Sequence, residues 1–203
     1  MSDAKPVVVV IDDDPDIRAS LQGLLETVDL RASLFATASE FLTSKPPQSP
    51  SCIVVDVRLP GLSGLDFQRE LARDNILTPV IFITGHGDIP MSVRAMKAGA
   101  VEFLTKPLHD QDLLDAVQAA LRRDRARLED ERKVADLRTH HESLTARERQ
   151  VMALLVSGRV NKQIAAEIGI SEVTVRLHRG QIMRKMRASS LAELIRIADK
   201  IKF

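Results

Sequence analysis

The stretch that most constrains this chain is Cys52-Ile53-Val54-Val55-Asp56-Val57-Arg58-Leu59-Pro60-Gly61. A continuous apolar run rich in β-branched residues, closed by turn signals, reads as a strand buried on both faces of a parallel sheet. Asp56 ends that run and so stands at the carboxyl edge of the sheet, where open α/β folds place their ligands. A carboxylate there is structural, a nucleophile, a metal ligand, or a nucleophile and ligand together.

The preceding and following segments repeat the pattern. Residues 7–11 are five β-branched residues followed by Asp12-Asp13-Asp14-Pro15, with Pro15 suited to the first turn of a helix. Ile17, Leu21, Leu24, Leu25 and Val28 then recur at helical spacing. Strands are expected at 30–35, 52–56, 79–84 and 101–105, and helices at 39–43, 64–74, 89–98 and from Asp110. The Pro/Ser-rich segment 45–51 reads as a loop. Five strands alternating with five helices make an α/β fold, a parallel sheet covered on both faces.

The strand ends collect a chemical set: Asp12 and Asp13 after the first, Asp56 after the third, Thr84 after the fourth, Lys106 after the fifth. Packed carboxylates repel unless one is protonated or a cation joins them. Mg²⁺ (or Mn²⁺) takes oxygen ligands, Thr84 can donate to a phosphoryl oxygen, and Lys106 can neutralise its charge. The set points to phosphoryl transfer onto Asp56 with help from the metal.

Val10-Ile11-Asp12-Asp13-Asp14, the run from Asp56 to Gly64, Thr84-Gly85-His86-Gly87-Asp88, Met96-Lys97-Ala98-Gly99-Ala100 and Phe103-Leu104-Thr105-Lys106-Pro107 resemble the receiver domain of two-component response regulators. The resemblance spans about residues 5–122. It implies a flavodoxin-like (βα)5 sheet of order 2-1-3-4-5 and phosphorylation of Asp56 by a sensor histidine kinase. It also implies that Asp13, Asp56 and the backbone carbonyl of Arg58 bind Mg²⁺ directly, Asp12 through water, and that the Lys106-Pro107 bond is cis. Phe103 stands at the aromatic switch position, and without a hydroxyl it cannot hydrogen-bond when turned inward. Arg58 and His86, two residues beyond Asp56 and Thr84, border the phosphoryl group and are expected to tune its lifetime. Arg58 also stands where phosphatases of the haloacid dehalogenase type need a second aspartate, which argues against a turnover enzyme.

Charge divides the chain. Residues 1–110 hold 10 Lys/Arg against 15 Asp/Glu, whereas 144–203 hold 12 against 5. An acidic front and a basic tail predict two domains with different partners, the basic one a candidate for nucleic acid. Between them, 113–138 lacks Gly and Pro. Leu114, Leu121, Leu128 and Ala135 fall at sevens, but the companion positions are mostly charged, so a single exposed helix is favoured over a coiled coil.

From Leu144 a helical pattern restarts. Thr145 and Glu148 form a capping box signature. Gly158 ends the first helix, Asn161 is read as the cap of the second, and Gly169-Ile170-Ser171 turns into a third, with a fourth over 191–198. Two short helices joined by a tight Gly turn are a helix-turn-helix. Arg176, Arg179, Arg184 and Lys185 lie on the third helix, with Lys162 on the second. An Arg there can read guanine while other cations contact phosphate.

Leu144 to Ala198 resembles the LuxR-type DNA-binding domain through Leu144-Thr145-Ala146-Arg147-Glu148, Asn161-Lys162-Gln163-Ile164-Ala165 and Thr174-Val175-Arg176-Leu177-His178. The whole chain resembles response regulators of the FixJ/NarL class, and Thr84 to Pro90 favours the FixJ branch, which are transcription activators. Family position makes Arg176, Leu177 and Gly180 the base-facing residues. Gly180 leaves either a close backbone approach to DNA or one missing contact. The resemblance further implies RNA polymerase as a partner, double-stranded DNA as the ligand, and a homodimer formed on phosphorylation through Val93 and Lys97.

The expected division is a receiver at 1–122, a helical linker at 123–143 and an all-α four-helix domain at 144–203. No apolar stretch approaches the roughly 18 residues of a membrane span, the first residues lack the shape of a signal peptide, and one cysteine makes no disulfide framework. The expected location is cytoplasmic, with no membrane partner, and Cys52 is expected to be a small core residue. A constitutive DNA-binding protein with a receiver used only as a dimerisation or interaction module is the rival reading, against which Asp12, Asp13, Asp56, Thr84 and Lys106 all count.

Overall fold

The computed structural model describes residues 5–44, 47, 49–85 and 89–203. It divides into two compact units, 1–128 and 129–203.

In the first unit, β1 (Val7–Ile11), β2 (Arg31–Phe35), β3 (Ser51–Asp56), β4 (Val80–Thr84) and β5 (Glu102–Thr105) form one sheet of order β2-β1-β3-β4-β5. Every pairing is parallel. The side-chain period of two sorts the strands' residues between two cores. Val9, Ile11, Ile53, Val55 and Phe82 face α2 (Ala38–Thr43), α3 (Gly64–Arg73) and α4 (Ile89–Lys97), packing with Phe41, Phe67, Leu71 and Ala95. Val8, Val10, Cys52, Val54, Ile81 and Ile83 face α1 (Pro15–Glu26) and α5 (Asp110–Glu142), packing with Leu21, Leu25, Leu113 and Val117. Cys52 is fully buried, and burial, with the charge of Asp124 adding to it, pushes its thiol pKa up, so it is unreactive core. Val28 departs from the expected helix: α1 stops at Glu26 and Val28 is exposed.

The charged run 122–133 reads as solvated, but Asp124 within it is fully buried. Its Oδ2 accepts the Ser51 amide at 2.8 Å, and its Oδ1 accepts from Arg127 at 2.8 Å. The carboxylate thereby serves the first, otherwise unpaired amide of the strand that ends in Asp56, while Arg127 offsets its charge. Leu113, Ala116, Val117, Ala120, Leu121 and Asp124 form one buried stripe of α5. Leu121 is thus core of the first unit rather than a coiled-coil position. Residues 123–143 are apportioned between the two units at Leu128.

The second unit holds α6 (Ala146–Val156), α7 (Asn161–Ile168), α8 (Glu172–Lys185) and α9 (Leu191–Ile201) around Val151, Met152, Leu155, Ile164, Val175, Ile182, Met186 and Leu194. Among the described residues, no helix is long and apolar enough to cross a membrane.

Candidate functional site

Parallel register places the rim. Ile11 pairs with Val55, so the residues that follow, Asp12 and Asp56, leave the sheet side by side. Thr84 pairs with Thr105, which brings Lys106 to the same edge, and the Lys106 amide bonds the Thr84 carbonyl at 2.7 Å. The Lys106-Pro107 bond is cis, as expected.

One ammonium joins two strands' carboxylates. Lys106 Nζ lies 2.8 Å from Asp12 Oδ2 and 2.7 Å from Asp56 Oδ2. Asp12 is 1% exposed and Asp56 7%. Burial alone would lower the Lys106 pKa, but its bonds and attraction to Asp12 and Asp56 outweigh this and raise it. The repulsion between these carboxylates is therefore already relieved by the protein's own lysine. One positive charge against two negative ones still leaves the pair net negative, before exposed Asp13 is added.

The other Asp56 oxygen, Oδ1, accepts the Arg58 amide at 2.8 Å. Below it the chain doubles back tightly. Gly61 has φ +80°, and a Cβ on Gly64 would stand 2.5 Å from the Asp56 carbonyl oxygen, so only glycine permits this approach. Asp12 is engaged at every polar atom. Its amide bonds Phe35 O at 3.3 Å, its Oδ1 accepts the Asp14 amide at 3.0 Å, and its carbonyl accepts from Arg18 at 2.6 Å. Arg18 had no signal in the sequence beyond lying one turn into α1.

Thr84 is completely buried at the end of β4. Phe103 is half-buried on β5, its ring 6.3 Å from that of Phe82. The Arg58 side chain is exposed at the rim, and His86 lies outside the described residues. Val93 and Lys97 are both exposed on α4. Val93 is 44% exposed, and Ile89 at 80% and Met96 at 43% extend an apolar surface that spacing alone did not single out.

The donor set fits a hard divalent cation in kind. Mg²⁺ commonly takes one or two carboxylates and completes its shell with water and phosphate oxygens, and Asp12 and Asp56 converge as such a pair beside Asp13. Among the described residues no three carboxylate, imidazole or thiol groups gather closely enough to hold an ion on their own.

In the second unit the capping box at the start of α6 forms as expected. Thr145 Oγ1 accepts the Glu148 amide at 3.2 Å, and Glu148 Oε2 accepts the Thr145 amide at 2.7 Å. Arg147 donates to the Ile168 carbonyl at 2.6 Å, tying α6 to the end of α7. Gly169, at φ +70°, turns the chain, and Ser171 caps α8 by accepting the Thr174 amide. Asn161 is not a cap. The N-cap is Val160, whose amide is met at 3.1 Å by Gln163 Oε1 one turn on.

Val175, Ile182 and Met186 bury one face of α8. The opposite face is open: Arg176, Gly180 and Arg184 are exposed, with Leu177 62% and Val173 66% exposed. Lys162 is exposed on α7, Arg179 is half-buried, and Thr174 is half-buried with its hydroxyl 2.8 Å from that of Ser171. Nothing in the fold lies within 4 Å of a Cβ added at Gly180, so packing does not require glycine there. Lys185 makes internal contacts that the sequence did not signal. Its ammonium bonds buried Glu148 at 2.7 Å and the Ser143 carbonyl at 3.3 Å, which makes it an internal tie of this unit.

Two family signatures match along the chain. Residues 8–118 match "Response regulator receiver domain" and residues 142–198 match "Bacterial regulatory proteins, luxR family". The chain is 56% identical to Nodulation protein W of Bradyrhizobium diazoefficiens, over 97% of this chain and 87% of that one. It is 46% identical to the transcriptional regulatory protein FixJ of Azorhizobium caulinodans, over 94% and 90%. Among solved structures it is similar to the response regulator StyR, at 46% identity and TM-score 0.83, covering 97% of this chain and all of that one.

Proposed function

The chain belongs to the two-component response regulators that join a receiver to a LuxR-family DNA-binding domain, and from that premise we propose that it is a transcription activator switched by phosphorylation of Asp56. The donor is a sensor histidine kinase. The carrying observation is the Lys106 bridge between Asp12 and Asp56 at one sheet edge.

In the transfer, an Asp56 carboxylate oxygen forms a bond to phosphorus as the donor's phosphorus–nitrogen bond breaks, and the imidazole leaves with a proton. For that, Lys106 must exchange its hold on Asp56 Oδ2 for an oxygen of the incoming group, whose charge it then neutralises. The Arg58 amide, already on Oδ1, keeps the carboxylate oriented. Asp13, Asp56 and the Arg58 carbonyl, with Asp12 acting through water, would hold Mg²⁺ or Mn²⁺, which would supply the rest of the charge neutralisation. Thr84 then closes on the phosphoryl oxygens and Phe103 turns inward, remodelling α4 and β5. The Arg58 and His86 side chains set how readily water reaches the phosphorus.

The remodelled α4, with Val93 and Lys97, forms a two-fold homodimer that presents two copies of α8 to inverted half-sites in double-stranded DNA. Arg176, Leu177 and Gly180 face the bases, with Lys162, Thr174, Arg179 and Arg184 around them, and the bound dimer acts on RNA polymerase in the cytoplasm. The domains are 1–122, 123–143 and 144–203. The receiver assists its own phosphorylation and dephosphorylation and turns over no external substrate.

The test is labelling from a small phosphodonor. Wild type should label with Mg²⁺ and not in EDTA, Asp56→Asn should not label, and DNA affinity should rise on labelling. A labelled Asp56→Asn protein, or wild-type affinity indifferent to labelling, overturns the reading.

A further inference from the structure

We propose that Arg18 is a positioning residue for the cation site: its guanidinium fixes the backbone of Asp12 so that Asp13 is held toward the cation shared with Asp56. The inference rests on the phosphoacceptor reading above, since it concerns the same rim.

Each acid of this turn is held in a different way. The Asp12 carboxylate is fixed by Lys106 and by the Asp14 amide. The Asp14 carboxylate is fixed by capping α1, accepting the Asp16 amide at 2.8 Å. Among the described residues no hydrogen bond is recorded for the Asp13 carboxylate, which is exposed. Its direction therefore follows from the backbone at Asp13. The Asp12 carbonyl and the Asp13 amide belong to one rigid peptide plane. A donor fixed on that carbonyl sets the plane, and with it the bond on which the Asp13 side chain turns. Arg18 is that donor, reaching back six residues to the carbonyl at 2.6 Å.

Two further features single out this contact. Arg18 sits in the first turns of α1, where the helix dipole disfavours a cation, and the positive charge is tolerated beside Asp12, Asp13, Asp14 and Asp16. Arg18 is also half-buried, its guanidinium turned back onto the Asp12 carbonyl rather than out into solvent. Residues that orient metal ligands from the outer shell govern affinity strongly, by about 10–100-fold when removed.

The positive charge and the orienting bond act in opposite directions on a divalent cation, which makes the test decisive. Mg²⁺ affinity of the full-length, unphosphorylated chain is measured by calorimetry for wild type, Arg18→Ala and Arg18→Lys. Exchange of the Asp14 amide is followed in the same proteins without metal. Arg18→Ala should weaken Mg²⁺ binding about tenfold and speed exchange of the Asp14 amide. Arg18→Lys, which keeps a donor and the charge, should recover most of both. Asp56 labelling of Arg18→Ala at saturating Mg²⁺ should return toward wild type. Unchanged or tighter Mg²⁺ binding by Arg18→Ala overturns the proposal, as does Asp14 exchange equal to wild type. If wild type neither binds Mg²⁺ nor labels at Asp56, the phosphoacceptor reading itself falls. If wild type does both and Arg18→Ala matches it, only the role of Arg18 falls.

Discussion

Replacing Lys185 with methionine separates two roles for one residue. Position on α8 makes it a phosphate contact, whereas the fold gives it to Glu148. Glu148 is 2% exposed, and its Oε2 accepts both the Thr145 amide and Lys185 Nζ, each at 2.7 Å. Lys185→Met keeps much of the stem but leaves a buried carboxylate with one donor fewer. A hydrogen bond to a charged group contributes about 1.5–3 kcal/mol. The Lys185 side chain is 34% exposed, so water replaces part of the loss, and about 1–2 kcal/mol is expected. For a unit the size of residues 129–203, that lowers the melting temperature by about 5–15 °C. Differential scanning calorimetry of the full chain suits a protein without Trp or Tyr.

The pH dependence fixes the sign. Burial raises the Glu148 pKa, but the bonds from Lys185 and Thr145 outweigh it and hold the carboxyl below its usual value. A depressed carboxylate contributes stability that is present above its unfolded pKa of about 4.3 and is lost as pH falls through its folded pKa. Removing Lys185 lets burial raise the pKa again, so the variant's carboxyl protonates sooner and is relieved of its charge. The gap between wild type and Lys185→Met should be widest near neutrality and close as pH approaches the carboxylate range. A variant that melts like wild type at neutral pH, yet binds all DNA sequences more weakly with a salt slope smaller by about one, would refute the internal-tie assignment.

Three further outcomes are expected. Gly64→Ala drives a Cβ to 2.5 Å from the Asp56 carbonyl and should destabilise the receiver by about 1–3 kcal/mol, with slower Asp56 labelling; wild-type stability would show that the turn yields freely. Arg176→Ala should cost about 1–3 kcal/mol at one base position, while Lys162→Ala weakens all sequences alike, reducing the salt slope by about one; identical behaviour of the two in binding titrations would remove the recognition-helix assignment. Val93→Asp should leave Asp56 labelling intact but block the doubling of mass seen by light scattering on phosphorylation; a variant that still doubles moves the interface off α4.

The first unit was legible because its signals are local. An apolar run followed by a polar residue marks a strand and its functional end, so the sequence alone sets Asp12, Asp56, Thr84 and Lys106 at the rim. The Thr145–Glu148 box and the Gly169–Ser171 turn were legible for the same reason, since their bonds span three residues or fewer. Where two local acceptors are on offer the sequence misleads: Asn161 has the side chain of a cap, but Val160 holds the N-cap position and Gln163 Oε1 accepts its amide.

The alternation of apolar runs with helical spacing thus determined the α/β receiver, the helix-turn-helix and the order of the rim residues by itself, because backbone geometry ties periodicity to face and edge. Only tertiary structure decided which charges meet. Lys106 and Asp12 are 94 residues apart, Asp124 and Ser51 are 73, and Lys185 and Glu148 are 37. A charged residue carries the same letter whether it is solvated or buried against a partner. The difference is set by which faces the closed fold brings together, and no spacing along the chain encodes it.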